Sequence, residues 1–472
     1  MEIVPKEMVE GKVSAKEIES LLFKQMLEIF RDLLVRVYTV LDEYLLHHRE
    51  KHRFEVVDKR PTKLSTIFGT VEIVRRYYLD RETKEYVCLL DELIGLEGNK
   101  LVSPFLEEIA INWAVKGPSY RDARDRLEEL LGEQVLSHET IRQRVLKLGD
   151  KIDQEPWMED TKTDKEEKEV LLVEVDGLNG KLQREKQRSA EAKIGVLYEG
   201  WEKLHPSSKE HRLKNKSYWV SVEDGETFWE EFSRLVYQKY EVTDETVVVI
   251  NGDGAGWIKK GTKYFPQAIY VYDRFHLNKW LREVLNKQPE KLKEALEASR
   301  RYDVGGLLKA VAEAEKDSKT KEERDAIKDL RHFLLDNREA LRDYREILRE
   351  KGIDTSNMRA MGAAESNMDL FAKRVKKHGY SWSKEGLEAI LSSRMKKLEN
   401  TLEHWIGLLK SSINTINTEP LSKTVVHVAR RVTDETKGVI NGRMPVLYGP
   451  DQDKNWVNHG MRKISRINYE IL

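Results

Sequence analysis

The chain has 472 residues, 39% hydrophobic and 35% charged, with a net charge of −1 and one cysteine, Cys88. That length supports two to four domains with cores of their own, in a globular protein rich in surface ion pairs. One cysteine excludes an internal disulfide and a cysteine-based zinc site, and no apolar run reaches the roughly 18 to 20 residues that span a bilayer. The first residues, MEIVPKEMVEGK, carry neither the basic nor the apolar region of a signal peptide, so a cytosolic protein is expected. The charge balance excludes a uniformly basic surface; basic patches have to be sought segment by segment.

Residues 14–50 carry one long helical pattern. Ser14 and Glu17 form a capping box, with Val13 and Ile18 at staple positions. Leu22, Met26, Ile29, Leu33, Val37, Leu41 and Leu45 then recur every three or four residues, a stripe that suits a core helix or a dimerisation helix. Residues 54–80 read as a small β-hairpin turning near Gly69, with Arg75 and Arg76 on a basic outer face.

Three short helices are expected within 103–149, opened by Ser103-Pro104, Ser119 and Ser137. Tyr120, Ala123, Leu127 and Leu130 share one face of the second; Ile141, Val145 and Leu148 share one face of the third. The other face of the third shows His138, Arg142 and Gln143, which can reach base edges or phosphates. The short GEQVL joint suits a helix-turn-helix with Ser137–Leu148 as the recognition helix, although an ordinary helical bundle has the same pattern.

The charged stretch 150–169 reads as a linker. After it the pattern becomes α/β. Val170–Val175, Lys193–Tyr198 and Tyr218–Val222 read as strands and Gly225–Tyr240 as an amphipathic helix. Val247–Ile250 and Ala268–Tyr272 are two more strands with a short helix between them. Asp176, Asp253 and Asp273 follow the first, fourth and fifth strands. Three strands, helix, strand, short helix, strand, with an acid ending the first and fourth strands, matches the ribonuclease H-like fold.

From Leu277 to about Glu350 only helices are expected, with the heptads broken at Gly305-Gly306. In 358–397, Glu365 stands where an apolar helix begins. Between 370 and 397, eight Lys and Arg residues face two acids, and Tyr380 and Trp382 lie inside this block. Basic side chains interleaved with aromatics suit phosphate contact and base stacking, though a solvated helix face with a core tryptophan reads alike. Residues 412–472 show no chemistry.

Asp176, Asp253 and Glu365 are separated by 77 and 112 residues. Three hard carboxylates without a cysteine cluster favour Mg²⁺ or Mn²⁺. Two such ions activate a water or 3′-hydroxyl and stabilise the leaving oxygen in phosphodiester cleavage or strand transfer. By itself the Asp273-Arg-Phe-His276 segment reads as a metal-proximal pair or as a helix cap. Gly256-x4-Gly261-Thr-Lys is not a phosphate loop, because its Lys follows the Thr.

Taken together, these residues resemble a DDE transposase of bacterial insertion sequences, of the ISLre type. The resemblance runs through RPTKLSTIFGTVEIVRRYY, LLDELIGL, SYRDARDRLEELLG and LSHETIRQRV in the N-terminal half. In the C-terminal half it runs through LLVEVDG, INGDGAGWI, YDRFHLNKW, the AAESN around Glu365, and HGYSWSKEG. It implies Asp176, Asp253 and Glu365 as the catalytic, metal-binding triad for two Mg²⁺ or Mn²⁺ ions, with an all-helical insertion before the Glu. Mutator-type transposases, to which this family is similar, carry an Asp or Cys, two residues, then His after the second catalytic Asp; Asp273 and His276 match that spacing and are expected beside the triad.

The expected organisation is a long helix and hairpin (1–100), a helix-turn-helix (101–150), a linker (151–169), a ribonuclease H-like core (170–276 and 356–411) interrupted by a helical insertion (277–355), and a C-terminal region (412–472). The expected activity is cutting DNA at terminal inverted repeats and joining its ends to target DNA, as a homodimer or higher homo-oligomer on DNA. Lys373, Arg374, Lys376 and Lys377 would hold phosphates and Trp382 would stack on a displaced base. The alternatives are a regulatory DNA-binding protein of the same ancestry, a nuclease without strand transfer and, more distantly, a helical scaffold.

Overall fold

The computed structural model describes residues 14–96, 101–154, 165–376 and 379–409. The staple at Val13, most of the linker and the region 412–472 lie outside them. The architecture is mixed α/β, in two units. One takes its described residues from the stretches up to Ala110 and from Arg124–His138; the other comprises Ile111–Ala123 and Glu139–Leu409.

In the first unit, helix α1 (Ala15–His48) opens on the expected capping box. The Ser14 N–H donates to Glu17 Oε2 at 2.7 Å, and the Glu17 N–H to Ser14 Oγ at 3.4 Å. Its stripe is divided: Leu41 and Leu45 pack with Phe54, Tyr78 and Leu90, while Leu22 and Met26 are exposed. Strands β1 (Phe54–Thr66) and β2 (Gly69–Asp80) pair antiparallel from Thr66 opposite Gly69, whose φ of +113° lets the chain reverse. β3 (Tyr86–Val87) and β4 (Leu101–Val102) complete the order β3-β2-β1-β4, with helix α2 (Leu89–Ile94) between them in the chain. The basic outer face expected at Arg75 and Arg76 is not there. Arg75 is buried and paired with Asp91, and Arg76 binds Asp42 of α1 at 2.5 Å. A carboxylate supplied by a neighbouring helix in each case turns these cations inward.

Helices α3 (Pro104–Lys116), α4 (Tyr120–Leu131) and α5 (His138–Gln154) start where their caps predict. Ser103 Oγ accepts from the Leu106 N–H at 3.3 Å and Ser119 Oγ from the Asp122 N–H at 2.9 Å. The division between the two units runs through this segment.

The second unit is built on a five-stranded sheet. β5 (Glu166–Glu167) precedes it, and then come β6 (Val170–Lys181) and β7 (Ser189–Tyr198). A small hairpin, β8 (Gly200–Lys203) with β9 (His211–Lys214), leads to β10 (Ser217–Ser221). Helix α6 (Gly225–Lys239) is capped by Asp224, which accepts from the N–H groups of Glu226 and Thr227. It buries Phe228, Trp229, Phe232 and Val236, and the ring of Phe232 lies where a side chain on Gly195 of β7 would have to go, 2.8 Å from its Cβ position. β11 (Tyr240–Glu241) pairs with β5; β12 (Val247–Gly252), the short helix α7 (Gly256–Lys259) and β13 (Gln267–Tyr272) follow.

The sheet order is β10-β7-β6-β12-β13. β7 is antiparallel to β6 and β10 to β7, while β12 is parallel to β6 and β13 to β12. β12 is buried along its whole length, as expected of a parallel strand covered on both faces.

Beyond β13, no strand occurs among residues 274–350. Helices α8 (Arg274–Val284), α9 (Pro289–Arg300), α10 (Val304–Lys316) and α11 (Lys321–Asp336) share one core of Leu277, Leu281, Val311, Ile327 and Leu330 among others. Gly305-Gly306, read from the sequence as a break, is the first turn of α10, where Asp303 accepts from the Gly306 N–H at 2.8 Å. After α12 (Tyr344–Glu350) the chain reaches α13 (Ala364–Val375), which packs on β6, then α14 (Lys384–Leu398) and α15 (Leu402–Leu408).

Candidate active site

The site begins with strand register. β12 pairs with β6 from Val247–Val170 to Asn251–Glu174, and with β13 from Val247–Gln267 to Gly252–Tyr272. Carrying both registers past the last pairs sets Asp176, Asp253 and Asp273 level across three neighbouring strands. Neighbouring strands lie about 4.8 Å apart, so the three carboxylates share one end of the sheet.

Asp176 departs from expectation in one respect. It does not end its strand: β6 continues to Lys181, held by antiparallel pairing with β7, in which Asp176 stands opposite Ile194. What ends near Asp176 is the parallel partner, so one edge of β6 opens there. Asp253 follows β12, and its Oδ1 accepts from the Ala255 N–H at 2.9 Å.

The carboxylates sense one another. Burial, with the charges of Asp253 and Asp273, pushes the Asp176 carboxyl up to about 6, against the pull of the Gly177 N–H and of His276. Asp273 caps α8 and binds His276 Nδ1 at 2.8 Å. Burial pushes Asp273 up, but His276 and the Asn251 amide outweigh it and hold the carboxyl below its ordinary range. The same hydrogen bond, together with Asp176 and Asp253, raises His276 and favours the imidazolium. Asp273 is therefore a helix cap and a histidine partner at once, so the two readings open in the sequence are compatible.

Glu365 is exposed in the first turn of α13. The helix start is fixed by a residue that the sequence reading passed over. Glu174, buried on the central strand, accepts from the N–H groups of Gly362, Ala363 and Ala364 and from Tyr198 and Asn251. The signal was a charged residue inside an otherwise apolar strand, VLLVEV.

The donor set suits a hard divalent cation, being all carboxylate oxygen, and a cation would favour the ionised form of Asp176 that burial and the neighbouring carboxylates oppose. Among the described residues, however, no three His, Cys, Asp or Glu side chains stand close enough together to hold a metal ion. Asp176 and Asp253 stand level on neighbouring strands, and Glu365 stands in the first turn of α13.

The basic residues divide into two sorts. Lys373 and Lys376 are exposed, Lys373 with Asp369 at 2.8 Å; Lys377 lies outside the described residues. Arg374 and Trp382 contradict the surface role expected of them. Arg374 is 3% exposed; its Nε donates to the Ala114 carbonyl, and its guanidinium lies 5.0 Å from the Tyr120 ring and 4.9 Å from that of Trp382. Trp382 is 6% exposed and its Nε1 donates to the Val375 carbonyl. Packing inside the second unit takes up the cation and the ring that the sequence offered to phosphate and base. On α5, His138 is half-buried and Gln143 exposed, and Glu139 binds both Arg142, at 2.8 Å, and Gln143, at 2.9 Å.

Comparison with known proteins adds a family. The model of an uncharacterised protein family, UPF0236, matches residues 8–406. A UPF0236 protein of Caldanaerobacter subterraneus subsp. tengcongensis, whose one name joins a string of gene labels, is 23% identical over 397 residues, or 83% of this chain and 80% of the relative. Another from the same organism is 25% identical over 399 residues, covering 83% and 76%. A UPF0236 protein of Streptococcus gallolyticus is 25% identical over 385 residues, covering 79% and 81%. Among solved structures, the Drosophila P element transposase strand transfer complex matches with a TM-score of 0.24 and 10% identity, over 74% of this chain and 88% of that one. No helix among the described residues is long and apolar enough to cross a membrane.

Proposed function

The chain belongs to the uncharacterised protein family UPF0236, and from that premise we propose that it is a DDE-type transposase that binds the terminal inverted repeats of an insertion sequence, cuts DNA and joins the ends. The observation that carries this reading is the level row of Asp176, Asp253 and Asp273 at one end of the sheet, with α13, whose first turn carries Glu365, packed on the central strand. The strand order β10-β7-β6-β12-β13, antiparallel on one side of β6 and parallel on the other, supports a ribonuclease H-like core. A relative named for many genes of one organism suits an element that copies itself within a genome.

Asp176, Asp253 and Glu365 would hold two Mg²⁺ or Mn²⁺ ions. Bound there, the ions supply Lewis-acid polarisation of the phosphodiester and lower the pKa of the attacking water or 3′-hydroxyl. The chain's own contribution is placement and charge. The parallel register sets the two aspartates side by side, and Asp273, bonded to His276 Nδ1, favours the imidazolium form that would offset their repulsion. Lys373 and Lys376 offer exposed cations to phosphates.

The test is cleavage of a labelled duplex carrying the inverted repeats that flank the gene, with Mg²⁺. Asp253→Ala is expected to lower cutting by a factor on the order of 10³ or more while leaving gel-shift affinity intact. Equal cutting by the variant rejects the triad. Cutting without end-joining identifies a nuclease. Binding without any cutting identifies a regulatory protein of the same ancestry.

We assign repeat binding to a helix-turn-helix with α5 as the recognition helix, carrying His138, Arg142 and Gln143. Arg142→Ala should weaken repeat binding about tenfold or more in a gel-shift titration, as expected for one lost base or phosphate contact. Unchanged affinity removes α5 from the interface.

A further inference from the structure

Glu174 takes no part in the chemistry above, yet its carboxylate is 0% exposed in the middle of the sheet. A buried carboxylate is costly unless fully hydrogen-bonded, and this one is. It accepts from the N–H groups of Gly362 at 3.3 Å, Ala363 at 3.1 Å and Ala364 at 2.9 Å, from the Tyr198 hydroxyl at 2.7 Å and from the Asn251 amide at 3.2 Å. Three successive N–H groups converge on it because Gly362 takes φ +148°, a conformation that L side chains rarely adopt.

Those N–H groups lie at the start of α13, where the first donors of any helix lack partners within the helix. The residue in the N-cap position, Ala363, has no side chain that can accept from them. Glu174 supplies the missing cap from 190 residues away in sequence, and with it a negative charge at the positive end of the helix dipole. Glu365 is the next residue after the last N–H held. Below the row of aspartates, Asn251 shares its amide between Glu174 and Asp273, at 3.4 Å from the latter, so the clamp is joined to the His276 partner.

We propose that Glu174 is a positioning residue for Glu365: it pins the first turn of α13 to the central strand, so that Glu365 is offered to Asp176 and Asp253 from a fixed start. This rests on the reading of Glu365 as the third carboxylate. Glu174→Gln keeps the shape but turns one acceptor into a donor facing N–H groups, so the helix start lets go while the sheet stays paired.

The experiment follows the full-length chain in two ways. Hydrogen exchange of the Gly362, Ala363 and Ala364 amides should speed up by about 10- to 100-fold in Glu174→Gln, the weight of one charge-assisted hydrogen bond. Mg²⁺-dependent cutting should fall by a similar factor with unchanged repeat affinity, and excess Mn²⁺ should restore part of it. Tyr198→Phe, which removes one donor and leaves the backbone clamp, should behave as wild type in both. Should Glu174→Gln not fold, Glu174→Asp keeps the charge but draws it back from the N–H groups, and is read in the same way. Wild-type exchange at 362–364 in the variant overturns the proposal, and so does wild-type cutting with released amides. A wild-type protein that cuts no DNA overturns the transposase reading instead, and the exchange rates still decide whether Glu174 is the clamp.

Discussion

Asp176→Asn is expected to melt higher than the wild type at pH 7 and to cut no DNA. A carboxylate kept only for structure would give the opposite result on replacement. Asp176 is raised to about 6 from an ordinary 3.8 by burial and by Asp253 and Asp273. Between those two values the folded protein keeps a proton that the unfolded chain has lost, so stability falls as pH rises through that window and stays lower above it. The penalty at neutral pH is on the order of 1–3 kcal/mol. Asparagine keeps the oxygen that accepts from the Gly177 N–H at 2.7 Å and removes the charge. The gap between variant and wild type should therefore be near zero at about pH 4 and open by about pH 7. Mg²⁺ should raise the wild-type midpoint by stabilising the folded state, and should raise that of the variant much less. Thermal unfolding from pH 4 to 8, with and without Mg²⁺, tests both statements. A variant less stable than wild type at pH 7 shows that the Asp176 carboxylate holds the fold together instead of being held under strain by it.

Trp382→Ala should cost about 3–5 kcal/mol of stability, as for other large buried aromatics. Its ring is packed by the Arg374 guanidinium and edge-on by Tyr120, at 6.4 Å between centroids. Its backbone is bound as well: the Trp382 N–H donates to the Lys181 carbonyl at 2.9 Å, and its carbonyl accepts from the Gln183 N–H at 2.8 Å. The residue therefore ties the segment between α13 and α14 to the end of β6. Truncation leaves a cavity, loses the cation–π contact and exposes a buried arginine. Trp382→Phe should recover most of the loss. Urea unfolding measures the cost, and DNA titration well below the melting range supplies the contrast. Weakened DNA binding in a variant of wild-type stability would return Trp382 to the role of stacking on a base.

The two cases show where local sequence misleads. In 370–397 a block of eight cations around Tyr380 and Trp382 looks like a surface because only two acids stand within it. The partners of Arg374 come from the Ala114 carbonyl and Tyr120, some 250 residues earlier, and no local pattern carries them. Arg75 and Arg76 mislead for the same reason, their acids being Asp91 and Asp42. Asp176 reads in the sequence as the end of a strand, yet pairing with β7 carries β6 to Lys181.

What the sequence determined by itself is what short-range physics controls. Caps at Ser14, Ser103 and Ser119 set helix starts, because a side chain within three residues satisfies the first free N–H groups. Apolar runs set the strands of the large sheet, because β-branched residues in unbroken series fit only a doubly covered strand. Asp176, Asp253, Glu365, Asp273 and His276 stand out as polar groups at the ends or edges of such runs. Tertiary structure alone decided where they stand. The level row of aspartates depends on a parallel register between strands 77 and 20 residues apart, which hydrogen bonds set only once the sheet exists. The place of Glu365 depends on Glu174, whose charge is tolerable in the core only because the start of a distant helix brings three N–H groups to it.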